Sequence, residues 1–192
     1  MILAGLDVRL AWRLAALGLG TVIVQVAAVS QLKIFGTNAD LTPLVVASCG
    51  LLAGSLPGAV FGFAVGMFLD LALVQTMGLS SLLFLIVGYG AGRLRELRDP
   101  QSAVIPIAVG AAATAIAQVG FSVMQFLLGA AVPVGFGLLR QILLAILLGA
   151  LIAPAVHVVA RRWLGPALPE DPRRRRRSYT TGGLSPLSRS GG

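Results

Sequence analysis

The sequence predicts an all-α polytopic membrane protein of six transmembrane helices. Three observations carry that class. The chain has 192 residues, of which 57% are hydrophobic and only 11% charged, with a mean hydropathy of +0.91. Soluble domains run at about 45–50% apolar and about 25% charged, so a water-soluble fold of this length could not hide so much apolar surface. Six apolar stretches approach the roughly 20 residues that a spanning helix needs. They fall at about 12–32, 40–54, 57–75, 79–94, 102–129 and 137–160. Finally, the cations alternate between loops as membrane topology requires. With six spans and both termini in the cytoplasm, 13 of the 15 Lys and Arg lie inside, as the positive-inside rule expects.

Taken in order, the first span follows Arg9 and Arg13. Its basic start, apolar run and small residues at AAVS also fit a secretory signal, and cleavage after Ser30 would leave five spans. The first loop holds Lys33, balanced by Asp40. The second span is short and Pro57 marks the start of the third, so 40–75 reads as a tight helical hairpin. The loops at 55–57 and 75–79 carry no cation, whereas RLRELRDP carries Arg93, Arg95 and Arg98. The fifth loop, GAAVPVGFG, carries none, and Arg140 opens the last span from outside. Trp12, Tyr89 and Trp163 fall near the inner interface, where amphipathic rings settle. Residues 1–165 form the membrane domain. Residues 166–192 are rich in Pro, Gly, Ser and Arg and too polar to bury a core, so they read as a disordered cytoplasmic tail. Its run Arg173 to Arg177 is suited to anionic lipid headgroups. The net charge of +8 is thus read as topology and lipid attraction rather than as a nucleic-acid surface.

Two features stand out inside the spans. In GSLPGAVFGFAVGMFLD, Gly54, Gly58, Gly62 and Gly66 recur every fourth residue. This small-xxx-small spacing lets helix backbones touch where no hydrophobic force drives helices together. The stripe packs either within the bundle or on a partner protein. One more step of four reaches Asp70, read from the sequence as the only acid inside the apolar body. An acid in a span is costly unless paired or wetted, and is a functional hypothesis by default. Counting about 1.5 Å per residue from Pro57 puts Asp70 about 20 Å up, in the outer leaflet. Arg140 is the opposite charge at similar depth, so a pair or a shared outer cavity is expected. The alternative is an interfacial acid that reaches water. The fifth span carries a polar stripe, Thr114, Gln118, Ser122 and Gln125, whose spacing keeps it on one helical face. It serves as interhelical glue or lines a ligand cavity.

Catalytic equipment is sparse. Cys49 is the only cysteine and His157 the only histidine, so neither an internal disulfide nor a histidine-cysteine metal site is expected. Ser80 and Ser81 lie near the outer end of their span and His157 near the inner end of its own, a poor arrangement for a Ser-His pair. There is no phosphate-binding Gly-rich loop and no paired carboxylate. A non-enzymatic binding or scaffolding protein without a cofactor is the expectation.

The stretch from Asp40 to Gly92 resembles the rod shape-determining protein MreD family. The likeness runs through Asp40, Leu41 and Pro43, then Gly58, Gly62, Phe63, Gly66 and Asp70. Met77, Gly78, Leu79 and Ser80 follow, with a span ending near Gly88 and Tyr89. The matched motif covers about a quarter of the chain, and the arginine tail is an addition to the pattern. The resemblance implies a scaffold of the bacterial inner membrane that binds MreC and works with MreB, RodA and a class B transpeptidase in lateral peptidoglycan synthesis. It also implies a fold like the membrane substrate-binding subunits of energy-coupling-factor vitamin transporters. A solute-binding transporter subunit is therefore the alternative function, although the outer loops are short and poor in polar and aromatic groups.

Overall fold

The structure is a computed structural model. It describes residues 8–31, 33–34, 37–38, 40–74, 78–97, 104–129 and 135–167. Six helices appear where six apolar stretches were expected: α1 (Val8–Gln31), α2 (Thr42–Ala53), α3 (Ser55–Ala72), α4 (Leu79–Leu97), α5 (Val104–Leu127) and α6 (Phe136–Leu164). Between α1 and α2 lies a small antiparallel hairpin of β1 (Lys33–Ile34) and β2 (Thr37–Asn38). A single 3₁₀ turn, Gly165–Ala167, follows α6. Beyond it, most of the expected tail, including Arg173 to Arg177, lies outside the described residues, as does Met77 of the motif.

Four helices are long and apolar enough to cross a membrane: α1, α3, α5 and α6. This is the character of a membrane-embedded helical bundle. The other two depart from the simplest six-span picture. Helix α2 has 12 residues, about 18 Å of helix against a hydrocarbon core of about 30 Å. Helix α4 has 19 residues but ends in Arg93, Arg95 and Glu96. Helix α2 can be short and apolar all round because it is the centre of the bundle. Thr42, Pro43, Leu44, Val46, Ala47, Ser48, Cys49, Gly50 and Leu51 are all buried, with α1, α3, α4, α5 and α6 packed about them.

The break between α2 and α3 falls at Gly54, three residues before the expected Pro57. Gly54 sits at φ 103°, a left-handed conformation that a side chain would strain. Its N–H still donates to the Gly50 carbonyl, closing α2, while Pro57 falls in the first turn of α3, where a missing N–H costs nothing. The hairpin is antiparallel: a Cβ on Gly58 would lie 2.7 Å from the Gly50 Cα, and one on Gly62 3.0 Å from a Val46 methyl.

Helices α3 and α4 pack still closer. A Cβ on Gly58 would meet the Gly88 carbonyl at 2.6 Å, one on Gly62 the Phe84 backbone, and one on Gly66 the Ser81 Cα at 2.5 Å. Gly92 closes the series against the backbone of Gly54 and Ser55. The α3 stripe therefore faces a second four-residue series, Ser80, Phe84, Gly88 and Gly92, running the other way on α4. Gly58, Gly62 and Gly66 are occupied inside the bundle, and Gly54 serves as the turn.

At the Gly54 end, Glu96 accepts hydrogen bonds from the Ser55 hydroxyl (2.6 Å) and N–H (3.3 Å) and pairs with Arg93 at 3.5 Å. The start of α1 and the end of α6 meet there as a reciprocal clasp. Arg13 Nη1 donates to the Trp163 carbonyl at 2.8 Å, and Trp163 Nε1 donates to the Arg13 carbonyl at 3.3 Å.

Candidate functional site

At the opposite end, two acids organise the space between the helices. Asp70 is buried, 1% exposed. Helix α3 stops two residues later, and the chain turns through Val74 (φ 52°) and Gly78 (φ 93°) into α4. Asp70 reaches across from α3 to the first amides of the incoming helix. One oxygen accepts the Gly78 N–H at 2.9 Å, and both accept the Ser80 N–H, at 3.3 and 3.2 Å. The carboxylate thus occupies the place of an N-cap side chain, and the positive end of the α4 dipole supplies its countercharge.

This corrects the expected partnership with Arg140. Arg140 lies exposed on the first turn of α6, and the Arg93–Glu96 contact is the ion pair among the described residues. The orphan N–H groups of a helix start supply a buried acid with positive potential without a cationic side chain.

The second acid is Asp40, expected from the sequence to be a loop residue balancing Lys33. It stands one residue before Leu41, which precedes α2, and it is drawn inward. Gln25 of α1 donates to Oδ1 at 2.9 Å, and Gln118 of α5 donates to Oδ2 at 3.2 Å. The Gln25 carbonyl in turn accepts the Leu41 N–H at 3.0 Å. Burial pushes the Asp40 carboxyl above its usual range, with the Gln25 hydrogen bond opposing that rise.

Asp40 opens onto a polar cavity of about 280 Å³. Its walls are Gln25, Thr42, Gln118, Gln125 and Gln141, with Ser80 and the aromatic pair Phe84 and Phe121 beside them. The two rings meet edge to face, with centroids 6.3 Å apart. Thr42 is 1% exposed and its Oγ1 has no hydrogen-bond partner.

The expected polar stripe of α5 divides between two roles. Gln118 and Gln125 line the cavity. Thr114 and Ser122 instead donate to carbonyls of their own helix, Gly110 at 2.9 Å and Gln118 at 2.8 Å. Thr114 also fills the space beside Gly149 of α6, which is packing rather than interhelical hydrogen bonding. Gln25 and Gln141 had not been singled out by sequence reasoning, and Asp40 had been named as a loop charge and in the resemblance but not as a cavity residue. The available signal was that Gln25 interrupts the apolar run of the first span, at a depth where water is scarce.

Two larger clefts, about 600 Å³ between α1, α2 and α6 and about 440 Å³ between α1 and α3, are walled almost wholly by apolar side chains. Among the described residues no group of three or more His, Cys, Asp or Glu is placed to hold a metal ion. No protein-family model, curated protein or solved structure matches the chain.

Proposed function

We propose that this chain is a non-enzymatic scaffold of the bacterial inner membrane, of the MreD type, which binds MreC and supports lateral peptidoglycan synthesis with both termini in the cytoplasm. The observation that supports this reading is that the residues carrying the resemblance act as one physical unit. Gly58, Gly62, Gly66 and Gly88 set the close approach of α3 and α4. Asp70 ties the end of α3 to Gly78 and Ser80 at the start of α4. Asp40 fastens the start of α2 to α1 and α5. In this reading, the partner docks on faces that the bundle leaves uncovered, because the glycine face is occupied by α4.

Affinity purification of the tagged chain from native membranes tests the proposal. Recovery of a bitopic coiled-coil protein together with wall synthases is expected. Recovery of a pair of ABC-type ATPases in their place would overturn it.

One observation favours the second reading, a solute-binding transporter subunit. Polar and aromatic groups converge on a partly open cavity around Asp40, which the short outer loops had given no reason to expect. At about 280 Å³ that space falls just under the roughly 300–1,000 Å³ of typical small-molecule sites.

A further inference from the structure

We propose that the cavity around Asp40 binds a primary ammonium group, carried by a small free amine or by the headgroup of phosphatidylethanolamine. The inference depends on neither reading of the protein's function, since a scaffold can hold a lipid headgroup as readily as a transporter subunit can hold a solute.

The carboxylate of Asp40 has no cationic partner among the described residues. Among the described residues Asp40 is the only ionisable side chain lining the cavity, and none of them there is basic. Gln25 and Gln118 each donate one N–H to the carboxylate, which offers about four lone-pair sites. Neutral amides orient a carboxylate but do not neutralise it, and a half-buried charge without a counterion is costly.

The second observation is independent of the acid. Thr42 belongs to the same cavity wall, and its Oγ1 is buried and has no partner. Buried hydroxyls are nearly always hydrogen-bonded. The side-chain amides of Gln125 and Gln141 add neutral groups, each able to donate or accept, to the same walls. A carboxylate with free lone pairs among neutral polar groups is matched by a group with one positive charge and three N–H donors. The Phe84 and Phe121 rings line the adjacent wall and offer apolar contact to the carbon chain that carries the ammonium.

Other ligands fit less well. An anion would meet Asp40 with no cation to hold it. A divalent metal takes about six or more oxygen ligands, usually with several carboxylates, and this cavity offers one. Water would satisfy Thr42 but leave the charge of Asp40 uncompensated. A headgroup can be the source too, because Asp40, Thr42 and Ser80 stand where α2 and α4 begin.

The test uses the full chain in nanodiscs, with thermal unfolding followed by tryptophan fluorescence at pH 7.5. In phosphatidylcholine discs, ethanolamine hydrochloride is titrated against sodium chloride of equal ionic strength, and choline chloride serves as the analogue without N–H donors. A separate set of discs contains phosphatidylethanolamine. If the source is a free amine, the midpoint rises saturably with ethanolamine and not with choline. If the source is lipid, the midpoint is higher in phosphatidylethanolamine discs than in phosphatidylcholine discs. In either case Asp40→Asn abolishes the difference. Thr42→Val, which keeps the side chain's shape, weakens it about fivefold in apparent affinity, the worth of one net hydrogen bond; this variant carries the test if Asp40→Asn does not fold. The proposal is overturned if neither probe moves the midpoint, if choline acts as well as ethanolamine, or if the response survives unchanged in both variants.

Discussion

At the scale of single residues, Asp70 does the work of a helix cap from a neighbouring helix. Asp70→Ala leaves the Gly78 and Ser80 amides without their acceptor, and an unsatisfied buried donor costs about 1–3 kcal/mol. Thermal unfolding in detergent is expected to show a loss of about 2 kcal/mol, and Asp70→Asn, which keeps one acceptor oxygen, a smaller one. Because Arg140 takes no part, the double swap Asp70→Arg with Arg140→Asp is expected to be as unstable as Asp70→Arg alone. Rescue in that double variant would reinstate the ion pair.

Asp40 behaves in the opposite sense. Its folded carboxyl titrates above its ordinary 3.8 because it is buried. Between those two values the folded chain holds a proton that the unfolded chain has released. Stability therefore falls as pH rises through that window, and stays lowered above it. In the absence of amine, Asp40→Asn is expected to unfold at a higher temperature than the wild type at pH 7. That advantage should shrink towards pH 4; an advantage that grows on acidification would contradict the assignment.

At the scale of elements, the pairing of α3 with α4 rests on two complementary four-residue series. A Cβ at Gly62 or Gly66 would strike α4 backbone, which cannot rotate away. Overpacking of this kind costs about 1–3 kcal/mol and occasionally more, so Gly62→Leu and Gly66→Ala should both lower the unfolding temperature. Gly90, on the same helix α4 but with nothing within 4 Å of its Cβ position, provides the control, and Gly90→Ala is expected to be neutral or slightly stabilising. Loss of partner binding in Gly62→Leu with unchanged unfolding would instead assign the stripe to an external helix. At the other end of the pair, the Ser55 hydrogen bonds hold the Glu96 carboxyl below its usual range. This link between the α2–α3 turn and α4 is therefore present at neutral pH and fades only as pH falls through that lowered value.

At the scale of the whole molecule, the bundle has two chemically distinct ends. One gathers Arg13, Trp163, Ser55 and Glu96; the other gathers Asp40, Asp70 and the glutamines. The Arg13–Trp163 clasp places the start of α1 beside the end of α6, which requires an even number of crossings. Epitope tags at the two termini should then become accessible to antibody from the same side of sealed vesicles. One tag reachable from each side would refute the even count. Single-cysteine mapping is practical alongside this, because the native Cys49 is buried.

Composition and local spacing alone determined the helical, membrane-type class, the six helices and the glycine stripe on α3. Each of these is a property of neighbours in the chain: an apolar run, or a period of four on one helix. That α1 starts beside the end of α6 agrees with the even number of crossings expected from cation counts that alternate loop by loop. The identity of the site was decided only by the tertiary structure. Gln118 reaches Asp40 across 78 positions and Gln25 reaches it across 15, and no local pattern marks such a meeting. The same holds for Asp70. Its charge was visible in the sequence, but its partner is the backbone of the next helix, and backbone amides carry no sequence signature. That is why the expected partner was a side chain, Arg140, and why the acid that shapes the cavity proved to be Asp40.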